Sequence, residues 1–420
     1  MSVDHLVTRE RNLPMLDAGH AASRATTSMV FVACLAIGSF LTVTTADAHV
    51  KWFVACNVSD DPLPLQSVFT ATFWLFAALF VTLFYLACEL EQTMVGAFLG
   101  RLLDRCTKPL HDRTDELLRG VAAVSFALLW ADGGLILTPE LKGNSVWLSA
   151  IQLLIPVYLF TRATLPAAGV GILVLYGYGA AVYGPFHMLD YPVFLGLGAY
   201  FALSVSQSGK LLAARFDVLR WTVALSLLWP SIEKFVYPAW VAPIAAAHPE
   251  LTLGFDVATV ITAAGVVEFG LAFALFWTPL VRRLAALALA SLLIAATFDF
   301  GKLDGIGHMM IITILLTVLA DPGRQQIHCR PARAPFVSGT ALLATIFLYT
   351  GAHTLYYGSW NAALAPLMTG VALLAIAFLC LCGIGQALFP TAARLPRHKA
   401  GDAIAAAPTM QAHRKLRLAS

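Results

Sequence analysis

Charge is what this sequence has least of. Asp, Glu, Lys and Arg make up 12% of its 420 residues, against about 25% in a soluble globular chain. So few charges do not cover a water-exposed surface. That excludes an ordinary soluble domain and makes lipid the solvent for most of the chain. A formal net charge of +3 is too small to imply a nucleic-acid partner. Three chemical motifs are also missing: a phosphate-binding glycine loop, a CxxCH haem attachment and a zinc-binding HExxH. Outward-facing cysteines are scarce as well. Of seven cysteines, only Cys56 lies clearly outside. Cys34, Cys88, Cys380 and Cys382 fall in spans, and Cys106 and Cys329 fall inside. No intramolecular disulfide is therefore expected on the oxidising side. Cys380-x-Cys382 lacks the redox CxxC spacing and reads as helix filler.

What is present is apolar: 59% of the residues are hydrophobic. A span needs about 20 such residues, and twelve segments qualify as candidates: 28–48, 66–89, 119–138, 146–161, 165–184, 189–205, 217–237, 256–279, 283–300, 306–320, 336–357 and 361–385. The fourth, sixth and tenth are short. With the N-terminus inside, inner loops collect Arg101, Arg105, Lys108, Arg113, Arg119, Arg162, Lys210, Arg215, Arg220, Arg282 and Arg283, and outer loops hold only Lys51, Lys142, Lys234 and Lys302. The positive-inside rule then places both termini in the cytoplasm and His49, His187, His248 and His308 on the outer side of a plasma (inner) membrane. Ala46-Asp47-Ala48 also fits a signal-peptide cleavage pattern. Cleavage there makes His49 the new N-terminus; without it, 28–48 is the first span. The basic part of 90–118 reads as an amphipathic connection resting near anionic headgroups, and 389–420 as a disordered tail.

The sequence repeats internally. Leu128-Leu129-Trp130 precedes Pro139 by the spacing with which Leu227-Leu228-Trp229 precedes Pro238. Arg162 precedes His187 by 25 residues, and Arg283 precedes His308 by 25. The length difference falls in the longer outer loop APIAAAHPELTLGF. The expected fold is an all-α integral membrane protein with about twelve transmembrane helices and a duplicated four-helix unit. An even helix count makes the copies parallel. The boundaries are a cytoplasmic tail at 1–27, two helices and a connection at 28–118, repeat one at 119–205, repeat two at 216–322, two helices at 336–388 and a tail at 389–420.

The second copy resembles the DoxX family of four-helix membrane proteins. The residues that carry the likeness are LRWTVALSLLWPSIEKFVYPAW, GVVEFGLAFALFWTPLVRRLAALAL and FDFGKLDGIGHMMIITILLTVL, between Leu219 and Leu319. The first copy is more distant, with Gly133-Gly134 where the second has Glu-Lys. The resemblance implies a membrane subunit of a redox assembly, linked to quinones or thiols, with a soluble redox partner or other membrane subunits.

Ionisable groups inside a bilayer cost roughly 2.5–3.5 kcal/mol at mid-helix on insertion scales, so each needs a role or a partner. Glu268 lies roughly 18 Å into its span at 1.5 Å per residue, with Lys234 near the outer end of the preceding one. Their plain alternatives are a paired structural acid and a snorkelling lysine. His187 and His308 occupy equivalent repeat positions beside Met188, Met309 and Met310. Asp304 lies one helical turn before His308, and Asp190 follows His187 by three. A carboxylate orients an imidazole and raises its basicity, which suits protonation of a quinone; His with Met also suits copper. The plain alternative is an interfacial histidine bonded to a carbonyl. His308, Asp304, Glu268, His187 and Lys234 are thus the candidate catalytic residues, and His49, His187, His308 and Met309 the candidate metal ligands. His353 is expected to bond a neighbouring helix. Three functions stay open: a redox-associated subunit, copper handling at the outer face, and small-solute transport.

Overall fold

The computed structural model describes Lys51, Val54 and residues 56–206, 208–252, 254–323 and 331–358. After a single turn at Leu65–Val68, twelve helices follow in these residues: α1 Ala71–Glu91, α2 Met94–His111, α3 Thr114–Ala131, α4 Val146–Leu159, α5 Leu165–Tyr183, α6 Pro192–Ala202, α7 Gly209–Val236, α8 Pro238–Ala247, α9 Val257–Ala274, α10 Pro279–Phe300, α11 Lys302–Ala320 and α12 Ala334–Tyr357. Their ends follow local chemistry. Thr70, Thr93 and Asp256 accept a backbone N–H as N-caps of α1, α2 and α9, satisfying donors a helix start leaves unpaired. Proline opens α5, α6, α8, α10 and α12, where its missing N–H costs nothing. Gly184 and Gly301, at φ +88° and +83°, stop α5 and α10.

Eight helices pack in cyclic order: α3, α4, α5, α6, α7, α9, α10, α11, and α11 closes back on α3. Helix α1 lies outside this ring against α9 and α12. Its aromatic face interlocks with theirs: Phe80 meets Phe269 edge-on at 5.9 Å and Phe84 meets Trp277 at 5.0 Å. A Cβ on Gly270 would lie 2.7 Å from the Phe80 ring, so only glycine permits this approach.

One end of the bundle gathers arginines onto helix-terminal carbonyls. Arg119 donates to Leu159 O, Arg220 to Leu275 O and Arg283 to Leu319 O. Arg215 pairs with Asp115, Arg282 with Asp321 and Arg283 with Asp104. Lys51 and Lys302 are paired at the opposite end.

Six of these helical segments are long and apolar enough to cross a membrane: Ala71–Glu91, Arg162–Tyr183, Val257–Ala274, Pro279–Phe300, Lys302–Ala320 and Pro331–Tyr357. They fit a membrane protein. Twelve spans were expected from hydropathy. Val146–Leu159 and Pro192–Val205 are too short by themselves. Helices α3 and α7 carry ion-paired charges in their arginine-rich halves. The expected loop APIAAAHPELTLGF is partly helical, in α8. The connection after α1 forms a full helix, α2. The expected spans 28–48 and 361–385, and the tails 1–27 and 389–420, lie outside the described residues.

Candidate functional site

The Lys-bearing end holds a buried ionic network that starts from three local structures. The Gly184 stop releases the chain from α5 into a tight 3-10 turn, His187–Asp190. The Tyr176 hydroxyl fixes that turn by donating to Met188 O at 2.8 Å. The second structure is the loop between α3 and α4. Gly133 and Gly134 take positive φ, and the loop then folds back on itself, with Ile136 N donating to Leu141 O. Gln152 of α4 donates to Leu135 O from beneath it. This inward fold buries Leu135–Leu137 and Leu141 and turns Glu140 towards His187. The third structure is the last turn of α7, which carries Glu233.

Lys51 enters among these groups. Its Nζ lies 2.5 Å from Asp190 Oδ2 and 2.6 Å from Glu233 Oε1, with 3% of the side chain exposed. It also sits 5.6 Å from the Trp240 ring centroid, within cation–π range. Tyr349 of α12 donates to Glu233 Oε1 at 2.9 Å. His187 Nε2 lies 2.9 Å from Glu140 Oε1, and the Tyr191 hydroxyl donates to Glu140 Oε2. Tyr183 stacks on His187 at 5.7 Å.

The segment that follows Lys51 straps this end. Tyr237 donates to Asp60 O, Leu63 N donates to Val236 O, and His353 Nε2 lies 2.9 Å from Val58 O.

Three carboxylates (Asp190, Glu233 and Glu140) therefore face one lysine and one histidine. Burial opposes the charge on Lys51, but Asp190, Glu233 and Glu140 outweigh it and raise its pKa above the ordinary lysine value. Burial likewise opposes ionisation of Glu140, yet the close approach of His187, with Lys51 and Tyr191, holds its carboxyl below the ordinary range. At Asp190 burial prevails over Lys51 and raises the carboxyl. Burial pushes the Cys56 thiol up to about 11. Asp190 Oδ1 is buried with no hydrogen-bond partner among the described residues. Buried acceptors are nearly always satisfied, so this oxygen has room in its bonding for one more donor.

The residues expected from sequence are distributed over this end and the flank. Asp304 Oδ2 and His308 Nδ1 meet at 3.0 Å on α11, both buried. His187 has Glu140 as its carboxylate. Asp190, expected to orient His187, pairs with Lys51 instead, because the 3-10 turn directs it elsewhere. Lys234 reaches Glu268 at 2.7 Å; its Cβ lies beside Gly265, so it points inward along α9 rather than outward as a snorkelling lysine would. Glu268, expected deep along its span, has its side chain 38% exposed on the flank of the bundle. Lys51, expected in an outer loop, is buried, since its ammonium finds two carboxylates in the bundle. His353 bonds a strap carbonyl and not a helix. Asp132 pairs with Lys302. Met188 is fully buried and packs on Gly179, and Met309 is half-buried against the core. No three His, Cys, Asp or Glu side chains stand close enough to hold a metal ion among the described residues; His49 lies outside them.

Sequence reasoning missed the roles of Glu140, Tyr191, Tyr349 and Glu233 and read Lys51 only as an outer-loop charge. The one available signal was Glu140 itself, a carboxylate in the short outer stretch TPELKG. Comparison with family models, curated proteins and solved structures finds no match for this chain.

Proposed function

We propose that this chain is a redox-associated subunit of the plasma membrane that handles the protons of a quinol at its outer side. One observation carries the reading: a buried network, Tyr191–Glu140–His187 and Lys51–Asp190/Glu233–Tyr349, with Asp190 Oδ1 lacking a donor among the described residues. Oxidation of a quinol releases two protons and two electrons. Asp190, with Lys51 held beside it, accepts one hydroxyl proton, and the His187–Glu140 pair accepts the other. The electrons leave to two one-electron equivalents of an outer-side redox partner. The resemblance of 219–319 to DoxX proteins supports the same class, by analogy alone.

The gathering of arginines at the opposite end supports a cytoplasmic placement of that end. A parallel duplication is supported by matched contacts. Leu118-Arg119 on α3 and Leu219-Arg220 on α7 each send the arginine to the leucine carbonyl of a Leu-Phe pair, Leu159-Phe160 or Leu275-Phe276. Each His-Met pair also follows a positive-φ glycine that ends a helix, Gly184 after α5 and Gly301 after α10.

The test is purification into lipid nanodiscs, quantification of extracted quinone, and steady-state quinol oxidation with ferricyanide as acceptor. The reading expects bound quinone near one per chain, and turnover that falls at least tenfold in Asp190→Asn and His187→Gln. Folded protein that retains no quinone and oxidises no quinol overturns it.

A further inference from the structure

Helix α2 is a long amphipathic helix whose two ends lie on the same face of the bundle. Helix α1 brings the chain to that face: Glu91 at its end accepts from Thr278 and from Leu280 N at the start of α10. Helix α3 leaves from the same face, where Asp115 in its first turn pairs with Arg215 and Arg119 caps the end of α4. An 18-residue helix is about 27 Å long, enough to approach a crossing, but a chain that returns to its starting face cannot have crossed. Helix α2 therefore runs along this face, opposite the Lys51 network.

Its sides are sorted accordingly. One edge is held by protein: Gly96 is buried against the end of α1, Leu103 packs on the core, and Asp104 and Thr107 bind Arg283. The adjoining edge is apolar and open, with Val95 and Phe98 each 57% exposed and Leu102 44% exposed. At 100° per residue, Arg101 and Arg105 lie beside this strip on the side away from the core. Both are exposed, and neither has an ion-pair partner among the described residues. Lys108, on the same edge, is already paired with Asp112. An apolar strip bordered by unpaired cations, on a helix lying in the plane of a membrane face, is the chemistry of an interfacial helix.

We infer that α2 is a binding surface for anionic phospholipid headgroups, with Val95, Phe98 and Leu102 at the acyl boundary and Arg101 and Arg105 on headgroup phosphates. The occupant is lipid and not a soluble phosphate compound, because the cations border an apolar strip that only an acyl layer covers. Each cation near an anionic membrane surface contributes about 1 kcal/mol, so the pair corresponds to roughly a 25-fold preference.

The experiment compares wild type, Arg101→Gln/Arg105→Gln and Arg101→Lys/Arg105→Lys, each full-length in mild detergent. Native mass spectrometry counts phosphatidylglycerol and phosphatidylcholine retained from an equimolar mixture. Thermal unfolding in phosphatidylcholine alone checks that all three fold alike. Wild type and the lysine variant are expected to enrich phosphatidylglycerol, and the glutamine variant to lose most of that enrichment. Retention of inorganic phosphate in place of lipid, an unaltered preference in the glutamine variant, or no preference in wild type overturns the assignment. This readout is independent of any quinol chemistry at the opposite end.

Discussion

Lys51 Nζ and Asp190 Oδ2 lie 2.5 Å apart although 139 residues separate them in the chain. With Glu233 as second partner, this lysine ties the segment before α1 to the ends of α5 and α7. Removing one member of a buried ion pair leaves an uncompensated charge and costs about 3–5 kcal/mol. Lys51→Met should therefore lower stability by about that amount in denaturant titration. Adding Glu233→Gln to Lys51→Met should recover part of the loss, since one orphan carboxylate is then neutral. A Lys51→Met protein as stable as wild type contradicts the pairing.

The alkaline limb of stability should belong to Lys51. Its folded-state pKa is raised above the ordinary value of 10.5, so its contribution is fully present below about pH 10.5 and is lost as pH rises beyond it. Unfolding followed from pH 8 to 11.5 should show wild type weakening towards the alkaline end. The corresponding slope in Lys51→Met should be shallower. Identical slopes remove Lys51 from this role.

Tyr349 donates the one side-chain hydroxyl that reaches Glu233 from α12. Hydrogen bonds to charged groups contribute about 1.5–3 kcal/mol, and Tyr349→Phe keeps the ring that packs on Trp229 and Phe186. The expected outcome is destabilisation within that range with helical circular dichroism unchanged. A loss no larger than that of a surface substitution counts against the bond.

Gly184 sits at φ +88°, with the Tyr356 hydroxyl 2.8 Å from where a Cβ would lie. Gly184→Ala should destabilise by about 1–3 kcal/mol from backbone strain, and because the turn carrying His187 and Asp190 starts here, the proposed quinol turnover should fall with it. Gly177→Ala, in the interior of α5 with open space around it, should be neutral or mildly stabilising by about 0.5–1 kcal/mol.

The Lys234–Glu268 pair is more open than the Lys51 network. Either single neutralisation, Lys234→Met or Glu268→Gln, leaves a lone charge on an apolar flank. The double variant should be more stable than the less stable single, a coupling that a double-mutant cycle reads directly. Additive losses would falsify a direct pairing.

The sequence by itself determined the solvent of this protein, because a chain so poor in charge has no other stable surroundings. It also determined local geometry. Asp304 and His308 meet because i and i+4 share a helix face, and each His-Met pair follows a glycine that alone tolerates the φ ending its helix. The gathering of arginines at one end was equally legible, as a matter of loop order along an alternating chain. The residues of the network were not. Glu140 sits in a short loop whose inward fold depends on Gln152 reaching its carbonyls, and Lys51 is brought to Asp190 and Glu233 across 139 and 182 residues. Hydrophobic periodicity reports which face of one helix is buried. It carries no information about which distant charge arrives there, and that was decided by the closing of α11 on α3 and the strap laid over the ends of α7 and α12.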